Sequence, residues 1–133
     1  MSIQHYKLRD LASIQLGYSF RSRIERIDLG RYAVIQMKDV TDDHRIAITD
    51  LTKIHADDAK EHHLARQNDL IFRSRGYSTT AALVDEAIGP AVIAAPLMRI
   101  RVLKDIVLPE YLCWFINLSS SQAFLSRRVY GFR

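Results

Sequence analysis

Apolar and polar positions along this chain keep one period as far as Val102 and a different one beyond it. Tyr32 to Val40 alternates, with Ala33, Ile35 and Met37 on one side and Tyr32, Val34, Gln36 and Lys38 on the other. A period of two predicts a half-buried strand. Asp42-Asp43 reads as a polar turn before a weak strand at Arg45 to Ile48. Leu70 to Arg75 reads as another strand. Ala81 to Val84 and Ala91 to Ala95 read as a strand pair joined through Gly89-Pro90. Leu97 to Val102 alternates again, Met98, Ile100 and Val102 opposing Arg99 and Arg101. At the start, Leu8, Leu11, Ala12 and Ile14 predict a short helical turn running into a strand, with Gly17 as its stop.

After Val102 the spacing becomes helical. Pro109 suits a first helical turn, and Tyr111, Leu112, Phe115, Ile116 and Leu118 form an apolar stripe. Ser119 to Ser121 can cap a second helix, Gln122 to Tyr130, carrying Ala123, Phe124, Leu125 and Val129 and stopped by Gly131. Strands first and helices last predict an α+β fold rather than a wound βαβ sheet. The expectation is a single domain over 1–133: one curved mixed β-sheet, a short N-terminal helical turn and two C-terminal helices. Its core should hold Leu112, Phe124 and either Trp114 or Phe115.

Composition narrows the class. The 133 residues are 48% hydrophobic and 26% charged, enough to bury a core and too apolar for disorder. The longest apolar stretch, Ala91 to Met98, falls far short of the roughly 20 residues that span a bilayer. Met1 to Arg9 has no apolar run of the secretory kind, and a lone Cys113 can form neither an internal disulfide nor a zinc framework. A cytoplasmic, non-membrane protein is expected. The charge is uneven. Of 19 basic residues 14 are Arg, and Asp39 to Glu61 holds seven of the 15 acids but only three bases. Elsewhere sixteen bases face eight acids, which predicts one electropositive surface and one acidic one. Arg favours bidentate contact with phosphate or guanine.

No catalytic constellation emerges. Asp28 with Gln36-Met37-Lys38 echoes the Asp…(Glu/Gln)-x-Lys metal site of Mg²⁺-dependent nucleases, with Gln in place of the second carboxylate. His55, His62 and His63 lack metal-ligand spacing. There is no nucleophile elbow, P-loop or dinucleotide fingerprint. Cys113 lies within an apolar helical stripe, where an inert buried thiol is expected. The reading calls for no cofactor and no metal.

Recognition has better material. Arg73-Ser74-Arg75-Gly76-Tyr77-Ser78-Thr79-Thr80 follows directly on a strand. Arg can clamp phosphate or read guanine, hydroxyls bond phosphate oxygens, and Gly permits close approach. The candidate DNA contacts are Arg73, Arg75, Gly76, Tyr77, Ser78, Thr79 and Thr80, with Arg21, Arg23 and Lys38 as supporting phosphate contacts; Arg99 and Arg101 read as sheet-face charges.

A series of segments resembles the target-recognition domain of the specificity (S) subunit of type I restriction–modification systems. The series begins with Leu8-Arg9-Asp10-Leu11-Ala12, Gly17 and Phe20, followed by Tyr32 to Val40. Next come Leu64 with Asn68-Asp69-Leu70-Ile71-Phe72 and Arg75-Gly76, where the family usually has Gly-Asp for Asn68-Asp69. Ala94 to Arg101, Leu108-Pro109-Glu110-Tyr111-Leu112, and Ser121-Gln122 with Gly131 complete the order. The resemblance covers roughly Leu8 to Gly131. It implies a non-enzymatic, sequence-specific double-stranded DNA-binding module of a defence system, directing methyltransferase (M) and restriction (R) subunits. The family's long spacer helix is expected to be absent from 1–133, which leaves assembly, including a homodimer, open. Two other classes stay open as well: the Mg²⁺-dependent nuclease, and a protein–protein interaction module using the acidic Asp39 to Glu61 segment and the C-terminal helices.

Overall fold

The computed structural model describes residues 7–21, 23–56, 59–75, 78–86, 88–103 and 105–123, and of Arg75 and Ser78 the backbone alone. The chain is α+β, with two small sheets and few helices. Its elements are α1 (Leu8–Leu11), β1 (Ala12–Leu16), β2 (Tyr32–Ile35), β3 (Thr52–Ile54), β4 (Leu70–Arg75), β5 (Ser78–Leu83), β6 (Ala91–Ile93), β7 (Met98–Val102) and α2 (Pro109–Asn117). A further helical turn spans 119–123.

The expected single sheet is two. One is a four-stranded antiparallel sheet in the order β1-β7-β4-β5; the other is three-stranded in the order β3-β2-β6. The predicted pairing of 81–84 with 91–95 is corrected. β5 folds back on β4 as a hairpin, closed where Arg75 pairs with Ser78. β6 instead joins β2 in parallel, Val34 opposite Val92. Ala91, Val92 and Ile93 are all buried, so their continuous apolar run marks a strand covered on both faces.

β2 shows the same effect. Val34 and Ile35 point to opposite faces and both are buried, because each face of this sheet packs on something. Ile35 joins Val40, Ile71, Val84, Ile93 and Leu97 in the core between the sheets. Val34 joins Ile54 and Val92 beneath Tyr18, Phe20, Ile24 and Leu64. The strand also stops earlier than its alternation predicts. Residues Met37–Asp39 form a 3-10 turn in which Asp39 reaches back, its Oδ2 accepting the Gln36 N–H at 2.8 Å. The weak strand expected at Arg45 to Ile48 reduces to a single bridge, Ile46 with Val40.

α2 covers the outer face of the larger sheet. Leu112, Cys113 and Ile116 pack on Ala12, Leu70, Ala81 and Ile100, and burial raises the Cys113 thiol pKa above its usual value. The helix is rotated from expectation. Trp114 is 57% and Phe115 48% exposed, stacking loosely around Tyr111 instead of entering the core. Asn117 fixes the docking: its Nδ2 donates to the Ala81 carbonyl at 2.7 Å and its Oδ1 accepts the Ala81 N–H at 2.9 Å. The second predicted helix begins within the turn at 119–123; Phe124, Leu125, Val129 and Gly131 lie outside the described residues.

Candidate nucleic-acid interface

The candidate site is built at the end of β2 and β6, where three distant segments meet. Gly17 brings the first of them in. A Cβ on it would lie 2.7 Å from both the Ala94 carbonyl carbon and the Ala95 nitrogen, so only glycine lets the backbones come this close. Tyr18 then pairs with the chain beyond β6, its N–H donating to the Ile93 carbonyl at 2.7 Å and its carbonyl accepting the Ala95 N–H at 2.9 Å. This seats Phe20 and Ile24 beside Gln36, Met37 and Lys38. With Ala94 and Ala95 they line an open groove of about 440 Å³.

Around this groove the supporting cations are solvated. Arg21 and Arg23 are exposed and lie in sequence between two groove residues, Phe20 and Ile24. Lys38 is half-exposed, its Nζ held 2.8 Å from the buried Asp39 carboxylate. Lys38 thus lines the groove itself, and Arg21 and Arg23 belong to the segment whose Phe20 and Ile24 line it.

The β4–β5 loop candidates are distributed differently. Arg73 is only 4% exposed. Its guanidinium donates to the Val40 carbonyl, to Asp42 Oδ1 at 2.6 Å and to Thr80 Oγ1 at 3.3 Å. Thr79 is buried too, its hydroxyl bonded to Gln122. The sequence places Arg73, Thr79 and Thr80 among the candidate DNA contacts; in the structure they are buried groups that hold the hairpin to the 40–42 segment and to the turn after α2. The reason is register: Arg73 stands opposite Thr80 and on the face of Ile71, which points into the intersheet core. Ser74, Arg75 and Ser78 belong to the same hairpin, and Gly76 and Tyr77 lie outside the described residues. Arg73 still ties this hairpin to Val40 and Asp42, a few residues beyond Lys38.

Arg99 and Arg101 are on that inner sheet face as well, yet their surroundings differ. Arg101 donates from Nε and Nη2 to both oxygens of buried Asp69, at 2.8 and 2.9 Å. That hydrogen bonding raises its pKa above the usual value. Arg99 is 5% exposed; it donates to the His62 carbonyl at 2.8 Å, and its Nε has no partner among the described residues. Burial, with Arg101 nearby, lowers its pKa. Asp69 also accepts the Arg66 N–H at 2.7 Å, locking the turn whose Asn68 adopts φ 75°. Gly takes that left-handed conformation without strain and Asn is among the few other residues that tolerate it, which accounts for Asn standing where the resembled motif carries Gly.

The nuclease reading loses its carboxylate. Asp28 pairs with Arg26 at 3.0 Å in the open and does not line the groove, while Lys38 is engaged by Asp39. Among the described residues no cluster of three or more His, Cys, Asp or Glu is placed to hold a metal, and no helix is long and apolar enough to cross a membrane. The sequence reading missed the groove residues Phe20, Ile24 and Met37. Their one signal was that they are apolar residues in or beside polar loops.

No protein-family profile matches the chain, and no curated protein matches it. Among solved structures it is similar to the HsdS subunit from Thermoanaerobacter tengcongensis, with a TM-score of 0.54 and 18% identity over 91% of this chain. At that identity the likeness is one of fold. The chain spans about a quarter of that subunit's length, 27%.

Proposed function

We propose that this chain is a sequence-specific double-stranded DNA recognition module of the kind found in type I restriction–modification specificity subunits, directing methyltransferase and restriction partner subunits and performing no catalysis itself. The observation that carries the reading is the fold likeness to an HsdS subunit over nine-tenths of the chain. The ordered motifs from Leu8 to Gln122 support it independently, since several have defined structural tasks: Gly17 in the close approach, Asp69 on Arg101, Gln122 on Thr79. Arg21, Arg23 and Lys38 supply solvated positive charge, and in this reading the β4–β5 hairpin tip, with Arg75 and Ser78, would sit against the same duplex. Counterion release by such cations gives a salt-dependent affinity, and a few side chains select bases. The exposed Tyr111, Trp114 and Phe115 on α2 favour an additional protein contact, away from DNA.

The test is selection of bound sequences from a random duplex pool, followed by salt titration of the winner. A single enriched motif and an affinity falling linearly in log salt are expected. Absence of binding to any duplex at low salt would overturn the proposal and leave the protein–protein module as the better reading.

A further inference from the structure

We propose that the groove between Phe20 and Lys38 is the base-reading element, with Gln36 selecting adenine in an A·T pair. This rests on the DNA-recognition reading above and names the residue that discriminates. Three observations lead to it. First, the groove is open, about 440 Å³, is lined by Lys38, and is flanked in sequence by the exposed Arg21 and Arg23 between its lining residues Phe20 and Ile24. Secondly, its lining combines an amide with an apolar wall: Gln36 beside Phe20, Ile24 and Met37. In the major groove a Gln amide matches adenine, accepting from N6 and donating to N7, and an apolar wall matches the thymine methyl. Guanine offers two acceptors there and cytosine no methyl, so the same lining fits them poorly. Thirdly, Gln36 is rigidly mounted. Its backbone N–H is bonded to Asp39, Asp39 also holds Lys38, and the Ile35 carbonyl beside it accepts the Ala94 N–H at 2.9 Å. A reading side chain on a fixed backbone loses less freedom on binding than one on a loose loop.

The buried state of Arg73 sharpens the assignment. The residue that looked best suited to read guanine is occupied inside the protein, and Gln36 lies four residues before its carbonyl partner Val40.

The experiment is sequence selection from a random duplex pool with the wild-type chain, Gln36→Ala and Gln36→Glu, each first checked for an unchanged melting profile. Wild type should show an adenine at one position. Gln36→Ala should relax that position alone, by roughly 5- to 150-fold in relative affinity. Gln36→Glu should turn it toward cytosine, whose N4 amino group a carboxylate accepts. On the selected duplex, 7-deazaadenine at that position should weaken wild type and leave Gln36→Ala unaffected; uracil for the paired thymine should weaken both. If the variants bind duplex and select the same motif as wild type, the inference about Gln36 falls while DNA recognition survives. If wild type binds no duplex, both fall together.

Discussion

The inner face of the four-stranded sheet and the groove at the end of the smaller sheet are both rich in cations, and they use them in opposite ways. On the sheet face Arg73, Arg99 and Arg101 are largely withdrawn from water and spend their hydrogen bonds on Val40, His62 and Asp69. Along the groove Arg21, Arg23 and Lys38 are exposed. A basic count therefore overstates the electrostatic footprint. The cations on the sheet face fix strand positions, and only those open to solvent can release counterions from a duplex. Within the sheet face itself, Arg101 has a buried carboxylate partner, and Arg99, among the described residues, has none.

The largest expected effect tests that internal contrast. Arg101→Met leaves Asp69 buried without its bidentate partner and should cost about 3–5 kcal/mol. Arg99→Met removes a desolvated charge and leaves Asp69 still held by Arg101, and should fall within about 1 kcal/mol of wild type or stabilise. Urea unfolding of both variants decides it; equal losses would mean that the two arginines are equivalent after all. Next in size, Arg73→Met should lose about 2–4 kcal/mol through its charged hydrogen bonds while the folded fraction keeps its duplex affinity. A stable Arg73→Met that no longer binds DNA would move this side chain from the interior to the interface.

What the sequence revealed, and what it hid, follows the same division. The sequence places β4 and, through alternation, β7 almost to the residue, and Leu70, Phe72, Ile100 and Val102 answer to one covered face. It could not say that arginines on the other face were buried, because burial there depends on Val40, Asp42 and His62, which lie some 30 or more residues away. Periodicity likewise cannot distinguish one sheet from two: Val34 and Ile35 read as alternating until both faces of β2 prove to be covered. The helix stripe was legible, but its phase was not. Tyr111 and Phe115 fit an inward stripe as well as Leu112 and Ile116 do, and the choice falls to the Asn117 clamp on Ala81. For the groove, Arg21, Arg23 and Lys38 were found by charge alone. In the sequence Gln36 reads as a polar strand position and as a misfit in a nuclease pattern, not as a contact residue.

Two smaller effects refine the comparison. Replacing Lys38 with Met should reduce the slope of log K against log salt by about one unit on selected and random duplexes alike. The same change at Arg99, measured by the same titration, should leave the slope where it was. The smallest effect concerns pH. Burial, with His62 close by, lowers the His63 pKa below its ordinary value, and the neutral ring accepts the Lys60 N–H on Nδ1 at 3.0 Å. A lowered value means that the unfolded chain takes up the proton first. The contribution is thus complete above about pH 6.5 and is lost as pH falls through the folded value. Melting temperature followed from pH 7.5 down to 5 should decline less steeply in His63→Gln than in wild type.

The Asn117 clamp has a consequence for life in a crowded solution. β5 is the outermost strand of its sheet, and an outermost strand offers unpaired backbone groups to any extended peptide that drifts past. At Ala81, midway along β5, both the N–H and the carbonyl are already occupied by one amide side chain. A foreign strand trying to zip along that border would meet an interruption in the middle of the ladder, so the contact that seats the helix also blunts this edge against strand addition.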